Sequence, residues 1–163
     1  AEGLPHTFLR PSFFMRNLST THRLDVAQKN EIIVPAGGGA TSFIDAQDIA
    51  AVAAKVLMEA GHLHRAYELS GSKALTYHEA AEILSEVLGR PIHYRRPGYL
   101  RFWRWRRQMG DPWGYILVMT ALYTVCRLGL ASQVTDTLPS LLGRPATPFR
   151  TFAEREKAVW LAH

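Results

Sequence analysis

Asp45 and Asp48 stand three residues apart behind an extended segment. That spacing suits an acid–base pair, two metal ligands or the opening turn of a helix. An Asp just before a helix accepts hydrogen bonds from the free N–H groups there. A second acid one turn on is favoured by the positive helix end, so capping is the better account. His62 and His64 form a close pair on a loop, and two imidazoles without a third ligand nearby are weak grounds for zinc. Gly37-Gly38-Gly39 lacks the later glycine of a dinucleotide fingerprint and the Lys-Ser/Thr pair of a P-loop, so it reads as a turn. No serine sits in a nucleophile elbow. Cys126 is alone in an apolar run, which excludes an intrachain disulfide and suits a small buried hydrophobe. These residues assign no catalytic group and no metal site.

Arg101-Phe102-Trp103-Arg104-Trp105-Arg106-Arg107 interleaves cations with aromatic rings. Such a stretch can stack on bases while neutralising phosphates, or lie at an anionic membrane surface. It can equally bury its aromatics and let the arginines reach solvent. The last reading is preferred, because no other basic loop supports a nucleic-acid surface.

Short extended segments and helices must position these groups. Thr7 to Pro11 reads as a strand stopped by proline, with Ser12 capping a helical stretch that carries Phe13, Phe14, Met15 and Leu18. Glu31 to Pro35 is a β-branched run, and Thr41 to Ile44 is again extended. Asp45 to Ala60 is the clearest helix, presenting Ile49, Val52, Val56 and Leu57, with Gly61 closing it. Arg65 to Leu69 is a strand. Thr76-Tyr77-His78-Glu79 is a capping box for a helix ending at Gly89, and Ile92 to Tyr94 is a short strand. Beyond Pro97 strand signals cease. Helices are expected over Tyr99–Met109 and Trp113–Leu130, from Asp136 to Leu142, and from a second capping box at Thr151 to the C-terminus. Trp113 to Ala131 is read as a buried or interface helix in preference to a membrane span.

The chain has 163 residues, 47% of them apolar and 20% charged, values that exclude wholesale disorder. Its formal charge of +5 comes from 19 Lys+Arg against 14 Asp+Glu. Six arginines and no acid fall between Arg95 and Arg107, so the remainder carries 13 bases against 14 acids. The basic character is local, and neither nucleic acid nor membrane is the expected partner. Ala1 to Arg10 lack an apolar signal segment, and a cytoplasmic setting is expected.

Several segments together resemble NmrA-like proteins, atypical members of the short-chain dehydrogenase/reductase superfamily that bind NAD(P)(H). They are Thr7-Phe8-Leu9-Arg10-Pro11 with Phe14-Met15-Arg16-Asn17, then Ser42-Phe43-Ile44-Asp45-Ala46-Gln47-Asp48-Ile49-Ala50 and Ala66-Tyr67-Glu68-Leu69-Ser70-Gly71. Tyr77-His78-Glu79-Ala80-Ala81, Leu88-Gly89-Arg90-Pro91-Ile92-His93-Tyr94 and Leu142-Gly143-Arg144-Pro145 with Thr151-Phe152 follow in order.

The resemblance is to the C-terminal half of such proteins. It implies an α/β fold, the C-terminal part of a Rossmann-like NAD(P)-binding domain over residues 1–97, with a few short strands. A mostly helical substrate-side region would then cover 98–163. By the same resemblance Pro11, Ser12 and Phe13 lie beside the cofactor, NADP or NAD, and Phe14 and Asn17 line the substrate cleft. From the residues alone, Phe13 and Phe14 read equally well as core. Relatives often carry an acid where this chain has Arg16, and the superfamily's catalytic Tyr/Lys pair would fall upstream.

The implied function is NAD(P)H-dependent reduction of a quinone-like or small carbonyl acceptor by the complete protein. The alternatives are a non-catalytic NAD(P) redox sensor acting through a protein partner, and a nucleic-acid or membrane module using Arg101 to Arg107. Without a glycine-rich cofactor turn, the chain alone is expected to bind dinucleotide poorly and to need a complementing N-terminal half.

Overall fold

A computed structural model describes residues 3–162. Side chains in β1 (Thr7–Pro11) alternate between half-buried and exposed, as a strand with one packed face should. β1 runs parallel to β4 (Arg65–Leu69), in register from Thr7 opposite Arg65 to Pro11 opposite Leu69. β2 (Glu31–Ile33) pairs in parallel with β6 (His93–Arg95), and β3 (Ala40–Thr41) pairs antiparallel with β5 (Leu75–Thr76). Helices α1 (Arg23–Lys29), α2 (Ala46–Met58) and α3 (Tyr77–Leu88) are interspersed with the strands. After Pro97 the described residues are helical only: α4 (Tyr99–Gln108), α5 (Trp113–Arg127), α6 (Thr137–Leu142) and α7 (Phe149–Leu161).

The main core gathers Leu18, Ile32, Leu84, Phe102, Phe152 and Trp160, all nearly or fully excluded from solvent. A smaller cluster of Ile44, Val52, Leu69, Leu138 and Ala146 lies where α2, β4 and α6 meet. Two buried acids tie the strand-bearing region to the later helices. Asp45 caps α2 through Gln47 N–H at 3.0 Å and pairs with Arg155 of α7 at 2.8 Å. Asp48 accepts from the Thr147 backbone N–H at 2.7 Å and the Thr147 hydroxyl at 3.1 Å, and pairs with Arg144 at 2.8 Å. The capping expectation therefore holds for Asp45, whereas Asp48 is a cross-link between elements.

The capping box of α3 forms in both directions, with Glu79 N–H donating to Thr76 Oγ1 and Thr76 N–H to Glu79 Oε2. Other boundaries differ from expectation. Ser12 caps nothing: the turn of 3-10 helix at Met15–Leu18 starts at Phe14, and Ser12 N–H is engaged by Leu69 O at 2.9 Å. α1 lies in a stretch to which the sequence reading assigned no element. Leu57 of α2 faces outwards at 84% exposure, because Ile49, Val52 and Val56 already fill the arc facing the smaller cluster. Gly61 lies beyond the helix end, and Glu59 terminates α2. α7 begins at Phe149, two residues before Thr151, because Phe149 and Phe152 must both enter the core. Asp136 stands at the start of α6 but makes no side-chain cap.

Phe102 is fully buried, while Trp103 and Trp105 are half-buried, as the aromatic-in, arginine-out reading requires. Arg106 departs from it. It is 7% exposed, pairs with Asp111 at 2.5 Å and lies over the rings of Trp105 and Tyr115. No helix among the described residues is long and apolar enough to cross a membrane.

Candidate functional site

β1 and β4 end at the same level, Pro11 opposite Leu69, so the chain leaves both carboxyl ends together. In parallel sheets ligands gather outside such ends, where departing loops open a crevice. Here the crevice is a cleft of about 200 Å³ lined by Pro11 at the end of β1 and Ser12 after it, Ser70 after β4, Ser42 after β3, and Ala131 and Thr135 after α5.

Backbone pairing fixes its walls. Ile44 N–H donates to Phe13 O at 2.8 Å, and Met15 N–H donates to Ile44 O at 2.9 Å, so the loop after β1 is bound to the segment after β3. Ser42 N–H donates to Ala131 O at 2.8 Å. Gly71 lies so close to Phe43 that an added Cβ would stand 1.8 Å from the Phe43 carbonyl oxygen. Gly39 meets Cys126 O in the same way, which presses the triple-glycine turn onto α5.

The polar side chains lining the cleft are the hydroxyls of Ser12, Ser42, Ser70 and Thr135, the Gln133 amide and an exposed Arg10–Glu68 pair. Ser42 Oγ stands 3.0 Å from Ser12 Oγ and 3.2 Å from Ala131 O, and its single proton serves one acceptor at a time. Ser70 Oγ accepts from Thr135 N–H at 2.8 Å, and the Thr135 hydroxyl donates to Glu68 O at 2.9 Å. The charged pair at the cleft, Arg10 and Glu68 at 3.0 Å, is well exposed. The chain thus offers orienting hydrogen bonds there.

The residues singled out from the sequence separate into three environments. Pro11 and Ser12 line the cleft. Phe13 packs towards the core, its ring 6.2 Å from that of Tyr123, whereas Phe14 is 40% exposed. Asn17 is half-buried in the following turn, where its carbonyl accepts from His22 N–H at 3.0 Å. Ser42, Ser70 and Thr135 were not singled out as site residues. Ser42 and Ser70 had a signal, standing at the ends of two segments that carry the family resemblance. Thr135 had none.

Behind Phe13 lies a buried titratable cluster. His22 Nε2 meets the Tyr123 hydroxyl at 2.5 Å, and Nδ1 is buried without a partner. Burial, with Arg106 nearby, lowers the pKa of His22 to about 3, so the ring is neutral. Burial also raises the Tyr77 and Tyr123 hydroxyls, and pushes the Cys126 thiol up to about 11. A thiol held protonated in this way is no nucleophile. His62 is engaged by the Tyr67 hydroxyl at 2.7 Å, and the described residues contain no group of three potential metal-ligating side chains.

Three comparisons bear on this geometry. The NmrA-like family matches residues 1–125. The NAD(P)H azoreductase of Xenophilus azovorans is 39% identical over 158 residues, which cover 97% of this chain and 55% of that relative. An NADPH-dependent quinone oxidoreductase of Escherichia coli, solved with NADPH, superposes with a TM-score of 0.85 at 26% identity over 94% of this chain and 54% of its own. The NADP(H) complex of Citrobacter sp. triphenylmethane reductase gives a TM-score of 0.82 at 27% identity, covering 93% and 53%. The chain spans about half the length of the curated relatives it matches. With a match to the family over most of its residues and the same α/β arrangement as these solved structures, the chain belongs to the NmrA-like family.

Proposed function

We propose that this chain is the substrate-side, C-terminal half of an NAD(P)(H)-dependent oxidoreductase that acts on a quinone-like or small carbonyl acceptor. Residues 1–97 would complete the Rossmann-like domain and 98–163 would form the helical wall of the substrate site. The observation that carries the reading is the hydroxyl-lined cleft at the joint carboxyl ends of β1 and β4. Its size and groups fit the nicotinamide end of a dinucleotide. Nothing among the described residues fits the pyrophosphate, since no glycine-rich turn there leads from a strand into a helix.

When bound, NAD(P)H supplies the hydride; the chain's residues supply position. Pro11 and Ser12 would hold the nicotinamide end, with Ser12 and Ser42 presenting hydroxyls to its polar group and Phe13 supporting the loop from the core side. Phe14, exposed in the segment that follows Ser12, and Asn17 in the next turn would shape the acceptor's site. β1 is paired only through β4 among the described residues. Its other edge is free to take a strand from a complementing segment.

Redox sensing through a protein partner is the second reading. It rests on the hydroxyls of Ser12, Ser42, Ser70 and Thr135 in the cleft, groups suited to holding a ligand in place. Joining this chain behind the preceding residues of the Xenophilus azovorans azoreductase tests both. The expected outcome is NADPH oxidation on adding menadione or a related quinone, and no micromolar binding of NADPH to the chain alone. Tight NADPH binding without turnover of any acceptor would favour sensing, and micromolar binding by the chain alone would contradict the division of labour.

A further inference from the structure

A second cavity, of about 950 Å³, shares no residue with the cleft at the ends of β1 and β4. It lies between the β2–β6 pair and α4, and carries five cationic side chains, Lys29, Arg95, Arg96, Arg101 and Arg104, against the one carboxylate of Glu31. Three of those cations are engaged within the protein. Arg95 pairs with Glu31 at 2.7 Å, Lys29 pairs with Asp25 at 2.9 Å, and Arg96 donates to Gly37 O at 3.2 Å. Arg101 and Arg104 form no ion pair among the described residues. They stand three apart on α4, neighbours on one helix face, where like charges repel.

The start of α4 adds to the imbalance. Gly98 gives it no side-chain cap, and its first turn contains no acid but does contain Arg101, a cation at the positive end of a helix. The apolar wall includes Ile33, Leu100 and the half-buried ring of Trp105, over which Lys29 Nζ lies at 5.1 Å.

We propose that this cavity binds a small aromatic anion, with its carboxylate or sulfonate between Arg101 and Arg104 and its ring against Trp105. An anion there supplies the counter-charge that the fold lacks, and forked guanidinium groups suit such oxygens. The volume is that of a small-molecule site. A long polyanion is disfavoured because the chain outside Arg95–Arg107 carries 13 bases against 14 acids, so the net positive charge comes from this one segment.

Naphthalene-1-sulfonate and 1-naphthoate, titrated against the full chain while the Trp105 indole N–H resonance is followed, test the site. Saturable shifts are expected for both. Arg101→Gln and Arg104→Gln should each weaken binding roughly tenfold, and the double variant roughly a hundredfold. Both side chains are exposed, so the variants should keep the parent's unfolding midpoint, measured alongside. Equal binding of neutral 1-naphthalenemethanol, no saturation, or an unchanged affinity in the double variant would overturn the proposal. Tighter binding of a deca-glutamate peptide or a short oligothymidylate, lost with the same arginines, would also overturn it and identify a macromolecular polyanion instead.

Discussion

His22 is enclosed among α1, α5 and the turn after β1, with one ring nitrogen on the Tyr123 hydroxyl and the other without a partner. An unfolded chain protonates this histidine at its ordinary pKa near 6.5, whereas the folded chain resists down to about 3. Between those values the unfolded state binds more protons, so stability is complete above about pH 6.5 and falls as the pH drops towards 3. At pH 5 the loss from this one residue is about 2 kcal/mol. Urea unfolding at pH 7 and pH 5 should show that difference, and His22→Gln, which keeps a hydrogen-bonding side chain, should remove most of it; an unaltered difference in the variant would refute the assignment. Asp48 makes a second prediction. It has no solvent exposure and holds Thr147 and Arg144, so Asp48→Ala should cost about 3 kcal/mol in the same unfolding experiment. The sequence showed the position of Asp48 but not its partners, which lie about a hundred residues on. His22 was not legible at all, since Ser19-Thr20-Thr21-His22-Arg23 has the composition of a solvated loop.

At the scale of elements, local signals were readable wherever the physics is local. The Asp45 cap, the Thr76–Glu79 capping box and the strand at Arg65–Leu69 all depend on residues within one turn or one strand, and each forms as expected. The misreadings arise where tertiary packing decides. A Thr-x-x-Glu pattern at Thr151 lies inside α7 because burying Phe149 moves the helix start forward. The spacing of Val56 and Leu57 could not say which one faces the smaller core cluster. Val52 is fully buried and Leu57 is not, so Val52→Ala should cost about 2 kcal/mol while Leu57→Ser stays within about 0.5 kcal/mol of the parent. Thermal unfolding of the two variants checks this, and a comparable loss in both would place Leu57 inside a contact not seen here.

For the whole molecule, charge and topology point to different places. The arginine-rich segment that dominates the composition borders the cavity beside α4, whereas the cleft proposed for the cofactor is neutral apart from one exposed ion pair. Pro11 and Ser12, named from the family resemblance, stand at the end of β1 and just after it, and both line the cleft. Thr135 could not be named from the sequence, since only the folded chain brings the segment after α5 to the end of β4. The central claim is that this cleft takes the nicotinamide end of NAD(P)H in a protein about twice this length. It is tested most directly by Ser12→Leu in the joined protein, with kcat/KM for NADPH-driven quinone reduction as the readout. Filling the cleft beside Ser42 should lower kcat/KM at least about tenfold while thermal unfolding is retained. An unchanged kcat/KM in a folded variant would contradict the placement of the site.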